Sequence, residues 1–126
     1  MAITHGKPSR KPSGALLRSH RKKRAYETGR TPTLPRLGEK KLKYVRMLGG
    51  TFKQRLLQVN KINVVDPQTK KCFIAVAKNV VENPANRYYV RRNVLTKGTV
   101  VITDKGKVKI TSRPGQVGTV NGVLVG

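Results

Sequence analysis

The sequence predicts a mainly β protein, a small antiparallel barrel-like domain preceded by an extended basic N-terminal arm. Three observations predict this. From about Leu42 onward, valine, isoleucine and threonine recur in short runs separated by turn residues. Before Lys41 aliphatic residues are sparse, and Pro8, Pro12, Pro32 and Pro35 interrupt the chain and remove backbone donors. No stretch between the β runs carries the length and periodicity of a long helix. The expected division is an arm over residues 1–41 and a β domain over 42–126.

The arm comes first. Leu16-Leu17 is its only pair of adjacent large aliphatic residues. Ser13 is placed to cap a short helix through Ala25, but the polar sequence gives that helix no wide apolar face. A segment so poor in apolar side chains cannot offset its ordering entropy by burial. The arm is therefore expected to be largely disordered alone and to order against phosphates.

The β runs follow in sequence. Lys43-Tyr-Val-Arg-Met-Leu48 ends at Gly49-Gly50, which suits a two-residue hairpin turn with positive φ. Leu56-Leu-Gln-Val59 and Ile62-Asn-Val-Val65 are out of phase by one residue, predicting a bulge or bend at Asn60-Lys61. Asp66-Pro-Gln-Thr-Lys70 reads as a turn. The apolar run from Cys72 to Ala77 reads as a central strand, with Cys72 a small buried hydrophobe. Asn83-Pro-Ala-Asn86 breaks the chain. Tyr88-Tyr-Val90 and Val94-Leu95 come next among the runs. Thr99-Val-Val-Ile-Thr103 and Lys107-Val-Lys-Ile-Thr111 flank Asp104-Lys-Gly-Lys107, the clearest hairpin. In the second of these strands Lys107, Lys109 and Thr111 alternate outward with Val108 and Ile110 inward. Ser112-Arg-Pro-Gly115 is a turn, and Val117 to Val125 is expected to close the chain with a hairpin at Asn121-Gly122. Eight or nine short strands of this kind favour a small barrel over a sandwich.

Charge narrows the function. The 126 residues carry 28 lysines and arginines against 5 acids, a formal net charge of +23. Residues 1–46 hold 14 of the cations and 2 acids, Glu27 and Glu39, a net +12 in the shorter part of the chain. Such an excess repels itself in the compact state and attracts polyanions. Nucleic acid is the leading polyanion, because basic groups displace counterions condensed on phosphates. A membrane-surface protein would show a basic amphipathic helix or an apolar anchor, and neither is present. No apolar run approaches the ~20 residues of a transmembrane helix. The start, Met1-Ala-Ile-Thr-His-Gly6, lacks the apolar core of a signal peptide, so an intracellular protein is expected.

Catalytic and metal chemistry find no foothold. The acids Glu27, Glu39, Asp66, Glu82 and Asp104 are scattered, and Asp66 and Asp104 occupy turns where aspartate bonds local backbone. His5, His20 and Cys72 lack zinc-ligand spacing. Gly6-Lys7-Pro8-Ser9 lacks the upstream glycine, the strand and the helix of a phosphate loop. No enzyme activity, cofactor, metal or small-molecule substrate is expected.

The basic constellations carry the functional expectation. Arg18, Arg21, Lys22, Lys23 and Arg24 fall within seven positions. Lys7, Arg10 and Lys11 precede them, and Arg30, Arg36, Lys40, Lys41 and Lys43 follow. Charges spaced along an extended arm match the row of charges on a phosphate backbone, and arginine adds forked donors and a stacking plane. A second constellation is Arg87-Tyr-Tyr-Val-Arg-Arg92, where Arg87, Arg91 and Arg92 favour phosphates. Strand alternation there would put one tyrosine in the core and its neighbour in solvent. Arg113 sits in a turn whose amides also suit a phosphate. With no tryptophan and only six tyrosines and phenylalanines, recognition of folded RNA by shape and phosphate contact fits better than an aromatic platform for single strands. An architectural DNA-binding protein is the alternative that charge permits, although no helix-turn-helix or basic zipper is apparent.

Five segments then match one family in order: Arg10-Lys-Pro-Ser-Gly14, Arg21-Lys-Lys-Arg-Ala-Tyr-Glu-Thr-Gly-Arg30, Val81-Glu-Asn-Pro-Ala-Asn86, Arg91-Arg-Asn-Val-Leu-Thr-Lys-Gly98 and Thr111-Ser-Arg-Pro-Gly-Gln116. The chain resembles the S8e family of ribosomal proteins, of the archaeal type, over nearly its whole length. Val117 departs from the family's Pro-Gly-Gln-Asp-Gly pattern. The resemblance implies a basic arm threading into small-subunit ribosomal RNA ahead of a β-barrel-like domain. It implies a cytoplasmic ribosome, neighbouring ribosomal proteins as partners and no catalysis. It marks Arg21, Lys22, Lys23, Arg24, Arg30, Arg91, Arg92 and Arg113 as RNA contacts, because they lie inside the matching motifs. Ribosome-assembly factors that share the domain carry long additional N-terminal sequence not found here.

Overall fold

The computed structural model describes residues 8–18 and 21–125. Contacts along the chain divide it into two compact units, Met1–Pro32 and Thr33–Gly126. Lys7, His5 and His20 lie outside the described residues.

In the first unit a small turn is closed by an isolated antiparallel bridge between Arg10 and Leu16. The Lys11 amide donates to the Ala15 carbonyl at 2.8 Å and the Leu17 amide to the Ser9 carbonyl at 2.9 Å. Ser13 therefore lies in a turn and caps no helix. Further on, Ala25–Glu27 forms a single 3-10 turn.

The second unit contains eight strands among the described residues: β1 (Arg36–Leu37), β2 (Lys41–Arg46), β3 (Phe52–Val59), β4 (Lys61–Val65), β5 (Cys72–Glu82), β6 (Val100–Thr103), β7 (Gly106–Ile110) and β8 (Asn121–Val125). The last five close into a barrel in sequential order, and β1, β3 and β2 form a separate three-stranded sheet in that spatial order. Barrel neighbours along the chain are antiparallel, whereas β4 and β8 pair in parallel. The parallel closure follows from counting. Five strands that alternate in direction leave the first and last pointing the same way.

The phase change at Asn60 marks where the chain leaves the three-stranded sheet for the barrel. β5 is long because it serves two neighbours, β4 through its first half and β6 through its second, with register shifts at Ala77/Asn79 and Val80/Glu82. Such bulges bend a strand and let a small sheet close. The interior is aliphatic, built on Leu56, Ile62, Val64, Leu95, Val101, Val108, Ile110 and Val120 with Ala75 and Ala77. β8 approaches so closely that a Cβ on Gly122 would lie 2.5 Å from Val108 Cγ1 and 2.9 Å from the Lys109 carbonyl oxygen. Only glycine fits that position.

Four local expectations are corrected. Cys72 is exposed, because β5 alternates and turns Cys72, Ile74 and Val76 outward while Ala75 and Ala77 face the narrow interior. Tyr88–Arg91 forms a helical turn, α1, and no strand. The Asn86 side chain starts it by accepting the Tyr88 amide at 2.9 Å. Asn121-Gly122 begins β8 and makes no hairpin. The Asn121 amide donates to Ser112 Oγ at 2.9 Å and the residue pairs with Asn63 of β4. The β2–β3 loop spans 47–51 rather than two residues, with the Met47 amide donating to the Thr51 carbonyl at 2.7 Å. Gly49 and Gly50 do adopt positive φ, 79° and 81°.

The remaining turns follow the sequence reading. Asp66 accepts the Gln68 amide at 2.9 Å and the Thr69 hydroxyl at 2.7 Å. Those two bonds, the hydroxyl's foremost, hold its carboxyl below the ordinary aspartate value. Asp104-Lys105 joins β6 to β7, and Asp104 Oδ1 accepts the Val76 amide at 2.9 Å across to β5. Lys107 and Lys109 point outward, alternating with the buried Val108 and Ile110.

Candidate nucleic-acid interface

In the first unit Arg10, Lys11, Arg18, Arg21, Lys22, Lys23, Arg24 and Arg30 are all exposed. Their surroundings differ. The Arg10 guanidinium donates to the Gly14 carbonyl at 2.7 Å and so helps close its turn. Arg21 is engaged by Glu27 through two hydrogen bonds, and Glu27 Oε2 also accepts the Arg24 amide at 2.9 Å. The Arg21 bond foremost, then the Arg24 amide, lowers the Glu27 carboxyl to about 2. Glu27 thus fixes the 3-10 turn that follows directly on Lys22, Lys23 and Arg24.

In the second unit, backbone hydrogen bonds place three basic segments side by side. The Leu37 amide donates to the Asn93 carbonyl at 3.1 Å and the Leu95 amide to the Pro35 carbonyl at 2.8 Å, around an antiparallel bridge between Arg36 and Val94. Arg36 is thereby set beside the segment carrying Arg91 and Arg92. On the other flank Gly115 packs against Thr33 and Pro35, which brings in the turn of Arg113. Arg36, Arg91, Arg92 and Arg113 are all exposed, while Pro35, Val94, Leu95 and Pro114 beneath them are buried. Distant parts of the sequence thus present cations from one hydrogen-bonded, buried base.

That base is held by a buried asparagine. Asn83 Nδ2 donates to the Val94 carbonyl at 3.1 Å, and its Oδ1 accepts the Ala85 amide and the Thr96 hydroxyl, each at 3.0 Å. Asn93 adopts a positive φ of 49° at the end of α1, turning the chain from Arg92 into the core at Val94. The Asn-Pro-Ala-Asn and Arg-Arg-Asn-Val-Leu-Thr motifs are therefore one structural unit.

Arg87 is exposed at the start of α1, where its guanidinium lies 5.1 Å from the centre of the Tyr88 ring. Tyr88 is exposed and Tyr89 half-buried, so neither tyrosine fills the core. Lys41 is exposed on β2. Lys40 lines a cleft of about 440 Å³ with Glu39, Lys61, Asn63 and Ile74. Arg36, Lys40 and Lys41 belong by their contacts to the unit that begins at Thr33.

Several surface features went unread in the sequence. Lys53 and Arg55 of β3 gain significance only once β3 is paired with Lys43 and Val45 of β2. Tyr26, Tyr44 and Phe52 are widely exposed, and none of the six aromatic residues is buried. A core of aliphatics alone is the signal that frees the rings for the surface. Among the described residues no three histidine, cysteine or acidic side chains gather as a metal site.

Comparison with known proteins places the chain. The family model for ribosomal protein S8e matches residues 4–125. The small ribosomal subunit protein eS8 of Methanobrevibacter smithii is 50% identical over 125 residues, covering 99% of this chain and all of the relative. The proteins of that name from Picrophilus torridus and Hyperthermus butylicus are 46% and 42% identical, with 99% of this chain covered and 100% and 93% of the relatives. The exposed arginines and the motifs that carry them lie within these matches, and the chain belongs to the ribosomal protein S8e family.

Proposed function

We propose that this protein is a structural constituent of the small ribosomal subunit of an archaeal-type cytoplasmic ribosome, where it binds folded small-subunit RNA through phosphate contacts. Its family is structural, not enzymatic. The observation that carries the RNA reading is the distribution of the +23 net charge. Cations from the arm, α1, β1 and the Arg113 turn are exposed, while three of the five acids are occupied in turns or ion pairing by Glu27, Asp66 and Asp104. The acids thus shape the fold and leave the surface field positive. Exposed cations displace counterions from phosphates, which makes affinity high and salt-dependent. The other partners in this reading are neighbouring ribosomal proteins.

The test is co-sedimentation with small subunits through a high-salt wash, together with affinity for small-subunit RNA and random duplex DNA at matched salt. Retention on the subunit and preference for the RNA are expected. Recovery in the soluble fraction alone would count against the ribosomal role, and equal affinity for both nucleic acids would favour an architectural DNA-binding protein.

A further inference from the structure

The hairpin of β2 and β3 has two chemically distinct faces, fixed by its register. Leu42 pairs with Leu56, Tyr44 with Gln54 and Arg46 with Phe52, and these share one face. Lys43 pairs with Arg55 and Val45 with Lys53 on the other. The first face begins in the core at Leu56, which is fully buried, and passes Gln54 against Gly118. Beyond that point Tyr44 is 60% exposed and Phe52 69%. The loop at the end carries Leu48, 99% exposed. Two exposed rings on one face of the hairpin do nothing for the barrel and leave apolar surface in water, a cost that burial would remove.

The opposite face is as ill-suited to water alone. Lys43 stands directly across from Arg55, and like charges directly opposed on a sheet destabilise it. Arg55 Nε is shielded from solvent and has no hydrogen-bond partner. From Lys40 to Val65 the chain holds seven cations and no acid to compensate them. A partner that satisfies this hairpin therefore supplies anions to one side and flat apolar surfaces to the other. An acidic protein surface meets only the first need and an apolar one only the second. Unpaired nucleotides meet both, since a base of any identity stacks on an aromatic ring while its phosphate pairs with lysine or arginine.

We propose that the β2–β3 hairpin is a base-stacking site for unpaired nucleotides of RNA, with Tyr44 and Phe52 as its platform and Lys43, Lys53 and Arg55 as its phosphate anchors. This rests on the RNA-binding reading above and adds to it a strand-selective element. The remaining cations recognise RNA by charge and shape, whereas this hairpin discriminates single-stranded from paired nucleotides.

The test uses the full chain and two labelled probes, a short oligouridylate and a perfectly paired RNA duplex of the same length. Binding is followed by fluorescence anisotropy across a salt series. Tyr44→Ala with Phe52→Ala is expected to weaken oligouridylate binding by roughly 5- to 150-fold per stacked base, with its salt slope and the duplex affinity unchanged. The ring-preserving pair Tyr44→Phe with Phe52→Tyr is expected to bind like the parent. Lys43→Gln with Lys53→Gln and Arg55→Gln is expected to lower the salt slope for oligouridylate by about 0.7 per lost contact. Full oligouridylate affinity in the alanine variant, or an equal loss for both probes, would overturn the proposal while leaving RNA binding itself intact. Loss of a protein contact on the subunit with unchanged oligouridylate affinity would also overturn it and assign the rings to a protein. A parent chain that bound neither probe would overturn the RNA reading and the hairpin site together.

Discussion

The Arg21 guanidinium meets the Glu27 carboxylate at two points, Nη1 to Oε2 at 2.8 Å and Nη2 to Oε1 at 2.7 Å. The pair holds the carboxylate charged down to about 2, against an ordinary value of 4.5. Because the folded value is depressed, the turn keeps its full support above pH 4.5 and loses it as pH falls through about 2. An NMR titration following the Arg24 amide and the Glu27 side chain is expected to report that low midpoint. Glu27→Gln is expected to abolish the transition and release Arg21 for phosphate, steepening the salt dependence of RNA binding.

The exposed arginines on the second unit rest on Asn83. Replacing Asn83 with Ala removes the buried donor to the Val94 carbonyl and the part-buried acceptor of the Ala85 amide and the Thr96 hydroxyl, which keeps Thr99 as a partner. A loss of about 1–3 kcal/mol is expected in urea unfolding. Arg91→Gln with Arg92→Gln, both exposed, is expected to leave stability within about 0.5 kcal/mol and to reduce the RNA salt slope by roughly 0.7–0.9 per lost contact.

Gly122→Ala places a methyl group 2.5 Å from Val108 Cγ1 and 2.9 Å from the Lys109 carbonyl. Backbone on one side cannot yield, so β8 must shift from β7. Overpacking of this kind costs about 1–3 kcal/mol. A lowered thermal midpoint with retained β circular dichroism is expected.

Truncation separates the two units. A cut through residue 40 would remove β1, whose Leu37 amide and preceding Pro35 carbonyl bind the 93–95 segment. A cut after Pro32 spares that pairing. It removes nine cations, Lys7, Arg10, Lys11, Arg18, Arg21, Lys22, Lys23, Arg24 and Arg30. Cooperative unfolding is expected to survive it, with weaker RNA binding and a flatter salt dependence.

Cys72 faces outward at the start of β5. It is expected to react with a thiol reagent in the absence of denaturant, as fast as in the unfolded chain to within a small factor. Protection released only by urea would contradict its exposure.

Local chemistry was legible where it is local. Asp66-Pro-Gln-Thr and Asp104-Lys-Gly announce turns because their side chains and backbone close on themselves, and the alternation of Val108 and Ile110 with lysines reports one wet face. Tyr88-Tyr-Val90 misled because β-prone residues were captured by the Asn86 side chain into a helical turn. Cys72 to Ala77 misled because a run apolar at every position does not say which alternate set is covered. The arginines of α1 were visible as charge, but their alignment with Arg36 and Arg113 was not.

By itself the sequence determined the charge, the crowding of cations before residue 46, the strand-and-turn rhythm of the rest and the motifs of the family. These depend on residue type and short spacing alone. Only the tertiary structure decided that β4 and β8 close the barrel in parallel, that Asn83 ties Arg92's loop to the core, and that no aromatic ring is buried. Those outcomes depend on which segments meet across many residues. Burial is a property of the partner as much as of the residue, and one strand cannot carry that information for another.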